Sequence, residues 1–171
     1  FKHCMEQGEE KNLGKQIYYI IDKDSPDRAK LAPYSKRVVD FMSIRHMIYT
    51  QAAELFVSSD SRYHSYAFKS RHSVFNRYLK KFPTVFLQHG VISFKCVPSF
   101  AKGRKLSCDL FVVSTEKERQ IVIDYLNYSP EQVINTGLPR WDVLEDKSQD
   151  KREILIMPTW RYSMEIISDN D

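Results

Sequence analysis

The chain has 171 residues, 42% of them hydrophobic and 28% charged, and its 26 basic and 22 acidic residues give a net charge of +4. This length is sufficient for the hydrophobic core of one domain, and the composition excludes a disordered or low-complexity polymer. So small a net charge gives no support to nucleic-acid binding.

Cysteine usage and hydropathy bear on the compartment. Cys4, Cys96 and Cys108 are widely spaced and form no C-x-x-C pair, which favours a reducing, cytoplasmic location over a disulfide framework. All apolar runs are far shorter than the roughly 20 residues that span a bilayer, so any membrane contact is expected to be peripheral. Because the sequence begins at Phe1, inside a helical stretch, it is interpreted as a truncated piece of a longer protein.

The predicted elements alternate between strands and helices along the chain. Short segments rich in β-branched and aromatic residues predict strands at 17–21, 55–57, 85–87, 110–113, 133–135 and 154–157. Apolar residues three and four positions apart predict helices around 44–53 and at 116–126, the second capped by Ser114 or Thr115. Continuous apolar strands alternating with helices are typical of an α/β fold with a doubly wound, mostly parallel sheet. The polar stretch 145–152 predicts a linker, which divides the chain into domains at 1–150 and 151–171.

The first candidate site residue is His89, which follows a predicted strand in the sequence Gln88-His89-Gly90. Ligands of open α/β sheets bind beyond the carboxyl ends of the strands, so His89 is placed to act as a general base, and Gly90 admits close backbone approach. A hydrogen-bonded structural histidine is the alternative. Lys95 lies five residues further on, either as a phosphate contact or as an ordinary surface lysine.

The second candidate is the segment 136–142, TGLPRWD, which again follows a predicted strand. Gly137 is suited to positive φ and the proline fixes the turn, so Arg140 would be directed at a phosphate, with Asp142 orienting its guanidinium. A structural Arg–Asp pair packed on Trp141 is the alternative.

The third candidate is the segment 158–161, PTWR, in which Thr159 and Arg161 would form an anion cradle after the last strand. The basic and aromatic residues of 71–81 would suit an anionic membrane surface, although an ordinary amphipathic helix explains them better. No histidine spacing or carboxylate cluster indicates a metal site, and neither a metal nor a cofactor is expected.

Four of these segments occur in an order and spacing that resemble the CDP-glycerol glycerophosphotransferases, which build teichoic acids and related capsule polymers. They are QHG at 88–90, DLFVVSTEKER at 109–119, TGLPRWD at 136–142 and ILIMPTWR at 154–161. The stretch YYIIDKDSPD at 18–27 and the Ser-Asp-Ser of 59–61 are also similar to that family, so the resemblance covers nearly the whole chain. Gln88 stands where related enzymes often have Trp.

The resemblance implies a GT-B-type transferase with two Rossmann-like domains, peripheral on the inner face of the cell membrane. Residues 1–150 would be the acceptor-side domain, and 151–171 the start of a donor-binding domain that is mostly missing here. By analogy, His89 would deprotonate the terminal hydroxyl of a polyol-phosphate chain, which attacks the β-phosphate of CDP-glycerol and expels CMP. Arg140, Arg161 and Lys95 would contact phosphate.

Two alternatives to this enzyme remain open from the sequence. One is a non-catalytic module that binds a phosphate-rich polymer, and the other is a GT-B glycosyltransferase that uses a nucleotide sugar. The motif pair TGLPRWD and PTWR favours the glycerophosphate family. A truncated domain would also leave apolar surface uncovered, so self-association is expected.

Overall fold

The computed structural model describes residues 1–60, 82–92, 97–147 and Ile154. The chain forms two compact units, Phe1–Leu138 and Pro139–Asp171. The strand predicted at 154–157 is described only at its first residue. Four other features of the sequence lie outside the described residues, namely the amphipathic stretch 71–81, Lys95, Thr159 and Arg161.

The first unit begins with short helices and a small parallel sheet. Its elements in chain order are α1 (Lys2–Glu6), α2 (Glu9–Leu13), β1 (Tyr19–Ile21), a 3-10 helix (Pro26–Arg37), β2 (Val38–Asp40) and α3 (Ile44–Ala52). Strands β1 and β2 pair in parallel, with Tyr19 opposite Val38. Helix α3 is capped by Ser43, whose Oγ accepts a hydrogen bond from the His46 amide at 3.0 Å.

The first unit also contains a four-stranded parallel sheet. Its strands are β3 (Phe56–Ser58), β4 (Thr84–Phe86), β5 (Leu110–Val113) and β6 (Val133–Asn135), and they lie in the order β3-β4-β5-β6. Asp109 joins the amino ends of the two central strands, because its Oδ2 accepts hydrogen bonds from the amide and hydroxyl of Thr84 at 2.8 and 3.1 Å.

Helix α4 (Glu116–Leu126) connects β5 to β6 and covers the main core. The Thr115 side chain caps its first turn by accepting from the Glu118 amide at 3.2 Å, and Asn127, in the left-handed conformation, ends it. The buried core joins apolar side chains of α4 to those of three strands and to Tyr128; its members are Phe86, Cys108, Phe111, Val113, Val122, Leu126, Tyr128 and Val133.

The structure confirms the α/β class and the parallel pairing, which are consistent with a Rossmann-like fold. Strands β5 and β6 and helix α4 have the predicted bounds, and β3 and β4 are each displaced by one residue. Strand β1 begins two residues later than predicted because the Ile17 amide donates to Glu10 Oε1 at 2.7 Å instead of joining the sheet. The sequence did not predict β2. The doubly wound order, the GT-B assignment and the domain division at residue 150 stay predictions.

In the part of the chain that the structure describes, no helix combines the length and the apolar character needed to cross a membrane.

Candidate active site

The candidate site lies at one edge of the four-stranded sheet. Because its strands are parallel, the segments that follow them emerge at the same edge. These segments are 59–60 after β3, 87–92 after β4, 114–115 after β5 and 136–137 after β6. The predicted base, His89, therefore lies at the edge where ligands of such sheets bind.

A backbone carbonyl fixes the tautomer of His89. Its Nδ1 lies 2.9 Å from the carbonyl oxygen of Ser59, in the segment that follows β3. A carbonyl oxygen only accepts hydrogen bonds, so Nδ1 carries the proton and Nε2 carries the lone pair of the neutral ring. The imidazole is exposed and its edge meets the ring of Phe86, with centroids 6.2 Å apart. The hydrogen bond therefore sets the direction of the ring, with Nε2 as its acceptor nitrogen.

Gln88 anchors the histidine to the centre of the sheet. Its side chain is only 5% exposed, and its Nε2 donates to the carbonyl oxygen of Val112, within β5, at 2.8 Å. The backbone of Gln88 has φ 62°, in the left-handed region that residues other than glycine adopt at a cost. This conformation directs the Gln88 side chain into the protein while His89, the next residue, stays at the surface.

Glu118 anchors the same segment from the other side, and the sequence did not predict this role. Its Oε1 accepts from the Ile92 amide at 2.7 Å, three residues beyond His89. Two patterns in the sequence could have indicated a role for Glu118 in the protein interior. Thr115 and Glu118 have the spacing of a helix capping box, and Glu118 shares a helix face with Val122 and Leu126, four and eight positions on.

The two glycines of the predicted site, Gly137 and Gly90, differ in whether the backbone conformation requires a glycine. Gly137 has φ 77°, as its sequence context predicted, so a side chain there would be strained. Among the described residues, apart from its chain neighbours, no atom lies within 4 Å of a Cβ placed at Gly90. The fold itself therefore leaves room for a side chain at Gly90.

Arg140 and Asp142 lie in the second compact unit, on a 3-10 helix (Pro139–Val143), and both are exposed. Within the described residues the two side chains form no ion pair with each other. The predicted direction of the Arg140 guanidinium towards a phosphate, and its orientation by Asp142, stay predictions.

Two other residues of interest have structural roles. The Lys102 ammonium donates to the carbonyl oxygen of Cys108 at 3.1 Å and lies 5.2 Å from the centre of the Tyr128 ring, which explains one member of a basic cluster at 102–105. His46 is 2% exposed, and its Nδ1 accepts from the Met42 amide at 3.1 Å. Burial lowers the pKa of His46, so the ring is held neutral.

Among residues 1–60, 82–92 and 97–147, no three His, Cys, Asp or Glu side chains come close enough together to hold a metal ion. The described part of the edge instead presents the imidazole of His89, the carboxylate of Asp60, backbone groups and hydroxyl groups. Such an arrangement can accept a proton from a hydroxyl and bind polar substrates.

Comparison with known proteins identifies the family. The model of the CDP-Glycerol:Poly(glycerophosphate) glycerophosphotransferase family matches residues 1–169. The chain is 32% identical over 169 residues to the minor teichoic acid biosynthesis protein GgaB of Bacillus subtilis (strain 168). The alignment covers 98% of this chain but only 18% of GgaB. No solved structure matches the chain. With a match across almost its whole length, the chain belongs to the CDP-Glycerol:Poly(glycerophosphate) glycerophosphotransferase family.

Proposed function

We propose that this chain is the acceptor-side part of a transferase that moves glycerol phosphate, or a similar polyol phosphate, from CDP-glycerol to a growing teichoic-acid-like or capsule polymer. The observation that carries the proposal is the hydrogen bond between His89 Nδ1 and the Ser59 carbonyl oxygen, at 2.9 Å. It orients His89 at the edge of a parallel sheet where ligands of such folds bind, as the base of this reaction would require, in a chain of this family.

In the proposed reaction, His89 Nε2 removes the proton from the terminal hydroxyl of the polymer. The hydroxyl oxygen bonds to the β-phosphorus of CDP-glycerol, the bond from that phosphorus to the oxygen bridging the two phosphates breaks, and CMP leaves with that oxygen. Phosphoryl transfer of this kind depends chiefly on alignment and on stabilisation of charge. The hydrogen bond to Ser59 supports alignment, since it holds the ring in one tautomer and one direction.

Contact with phosphate is assigned to Arg140, with Gly137 shaping the preceding turn through its positive φ. A guanidinium binds phosphate oxygens with two parallel hydrogen bonds, which suits a donor that carries two phosphates. Lys95, Thr159 and Arg161 belong to the same proposal on the strength of their motifs alone, since they lie outside the described residues.

The partners in this proposal are CDP-glycerol and a polyol-phosphate chain. The reaction would take place in the cytoplasm, with the protein in peripheral contact with the inner face of the cell membrane. Self-association remains part of the proposal and is measured by sedimentation over a range of concentrations.

The test is CMP release from CDP-glycerol in the presence of a short polyol-phosphate acceptor, using protein expressed from its complete reading frame. His89→Ala is compared with His3→Ala, which removes an exposed histidine from α1. Loss of a general base lowers kcat by about 100- to 10,000-fold, and donor binding should change little because the base acts in the transition state.

Wild-type kcat in His89→Ala would remove this residue from the mechanism. If neither wild type nor any variant releases CMP from CDP-glycerol, the assigned donor is refuted, whether or not UDP is released from a UDP-sugar in its place. A parallel loss in His3→Ala would show that the effect of His89→Ala is not specific to the site.

A further inference from the structure

Glu118 is a fully buried carboxylate with an unusual set of partners. Its side chain is 0% exposed, on the first turn of α4. Buried carboxylates are normally paired with a cation, yet within the described residues Glu118 binds only neutral groups. Its partners are the amide and hydroxyl of Ser114, at 2.8 and 2.6 Å from Oε2, and the amide of Ile92, at 2.7 Å from Oε1.

These partners belong to two different segments of the site. Ser114 immediately follows β5, and Ile92 closes the segment that carries His89. The two oxygens of the carboxylate therefore join the end of β5 to the segment that follows β4. Glu118 therefore serves the protein itself, as a link between the residue that precedes α4 and the segment that carries His89.

Three contacts hold residues 88–92 in place. Gln88 donates to the Val112 carbonyl oxygen before the histidine, Glu118 accepts from the Ile92 amide after it, and His89 itself bonds to Ser59. The first two fix the backbone on either side of His89 to β5 and α4. The third, the bond that sets the tautomer, requires this backbone to remain in position.

We propose that Glu118 is a positioning residue for His89, acting through the Ile92 amide to keep His89 Nδ1 within hydrogen-bonding distance of the Ser59 carbonyl. The proposal deepens the proposed function and rests on His89 being the base of that reaction. It also explains why a carboxylate is buried here. Two acceptor oxygens satisfy donors from both segments, whereas a glutamine would turn its NH2 group towards one of them.

The test compares Glu118→Gln with Glu116→Gln. Both changes remove one negative charge from the first turn of α4, but Glu116 is 69% exposed and pairs with Arg119 at 3.1 Å. The first measurement gives kcat, and KM for CDP-glycerol, for the protein expressed from the complete reading frame. The second gives the tautomer of His89, by nitrogen-15 NMR of the imidazole rings in this chain. With five histidines in the sequence, the His89 signals are assigned by their loss in His89→Ala.

In Glu118→Gln we expect the His89 ring to change from the single Nδ1–H tautomer to a mixture of both tautomers. We expect kcat to fall about 10- to 100-fold, as for a catalytic group misplaced by about 1 Å, with KM for CDP-glycerol within about twofold of wild type because donor binding does not involve this contact. Glu116→Gln should match wild type in both measurements.

An unchanged His89 tautomer and an unchanged kcat in folded Glu118→Gln would overturn the proposal. If Glu118→Gln does not fold, Glu118→Asp serves instead, since it retains the charge but is too short to reach both Ser114 and Ile92. The same loss is then expected, and wild-type values again refute the proposal. The NMR measurement needs no substrate, so it tests Glu118 even if His89→Ala shows that His89 is not the base.

Discussion

Replacement of Gln88 tests the backbone conformation that presents His89 at the edge of the sheet. Its backbone has φ 62°, and its buried side chain donates to the Val112 carbonyl oxygen at 2.8 Å. We compare Gln88→Ala with Gln88→Gly. Both variants lose the hydrogen bond to Val112, and they differ in how well the new residue tolerates the left-handed backbone.

The magnitudes follow from these two effects. Loss of the hydrogen bond and of the buried side chain costs about 1–2 kcal/mol of the free energy of unfolding in either variant. Relative to alanine at this position, glycine avoids about 1–2 kcal/mol of strain in the left-handed backbone. It also lowers the free energy of unfolding by about 0.5–1 kcal/mol through its greater freedom in the unfolded chain. We therefore expect Gln88→Gly to be more stable than Gln88→Ala by about 0.5–1 kcal/mol, the reverse of the usual order of these two residues.

The assay is urea unfolding of both variants and of wild type, followed by circular dichroism, with the free energies compared at equal slope. An alanine variant that is more stable than the glycine variant would refute the left-handed conformation of residue 88. A control at Gln120, on the exposed face of α4, should give the usual order, with Gln120→Ala the more stable form.

Three further predictions concern stability and the room beside the base. Because burial lowers the pKa of His46 in the folded chain, the unfolded chain binds the proton more readily. The free energy of unfolding should then fall as the pH drops below about 6.5, by at most about 1.4 kcal/mol per pH unit. The His46→Asn variant should show a weaker pH dependence, because the Oδ1 of asparagine can still accept from the Met42 amide but does not titrate. Tyr128→Phe should lower the free energy of unfolding by about 2–4 kcal/mol, because the buried hydroxyl accepts from the Cys108 amide at 3.0 Å and also donates to a backbone carbonyl. Gly90→Ala should leave the free energy of unfolding within about 0.5 kcal/mol of wild type, since the new Cβ has room among the described residues, and should lower kcat/KM if substrate approaches this backbone.

Each of these predictions has a direct refutation. Equal pH dependence in wild type and His46→Asn, measured by denaturant midpoints, would exclude His46 as the titrating group. A Tyr128→Phe midpoint equal to that of wild type would show that water replaces the hydroxyl. Unfolding of Gly90→Ala at clearly lower denaturant would show that the backbone at residue 90 is more crowded than described.

Elements with local signals were predicted well from the sequence. The run Leu110–Val113 is followed at once by a capping residue and a helical pattern, so the ends of β5 and the start of α4 were fixed by neighbours in the chain. The structure also settles which hydroxyl caps the helix, since Thr115 accepts from the Glu118 amide. Positive φ at Gly137 followed from the same kind of local reasoning.

Features that depend on distant contacts were not accessible in this way. Strand β2 continues directly from a charged, proline-containing 3-10 helix, and its pairing with β1 is what identifies it as a strand. Glu118 lies in the first turn of a helix, where acidic residues are common, and its burial depends in part on the Ile92 amide, 26 positions away. The position of His89 was predicted, whereas its orientation depends on Ser59, thirty positions earlier.

The nature of the group that orients His89 matters for the proposed chemistry. A carboxylate in that place would stabilise the protonated ring and would repel the phosphates of donor and acceptor. The Ser59 carbonyl is neutral, so the group that fixes the tautomer of His89 carries no negative charge of its own. The carboxylate of Glu118 acts one step further back, where it is buried and fully occupied by amide and hydroxyl donors. The charged Glu118 thus holds the backbone, and the dipole of the Ser59 carbonyl orients the His89 ring. This arrangement suits a reaction in which alignment of phosphate groups matters more than the strength of the base.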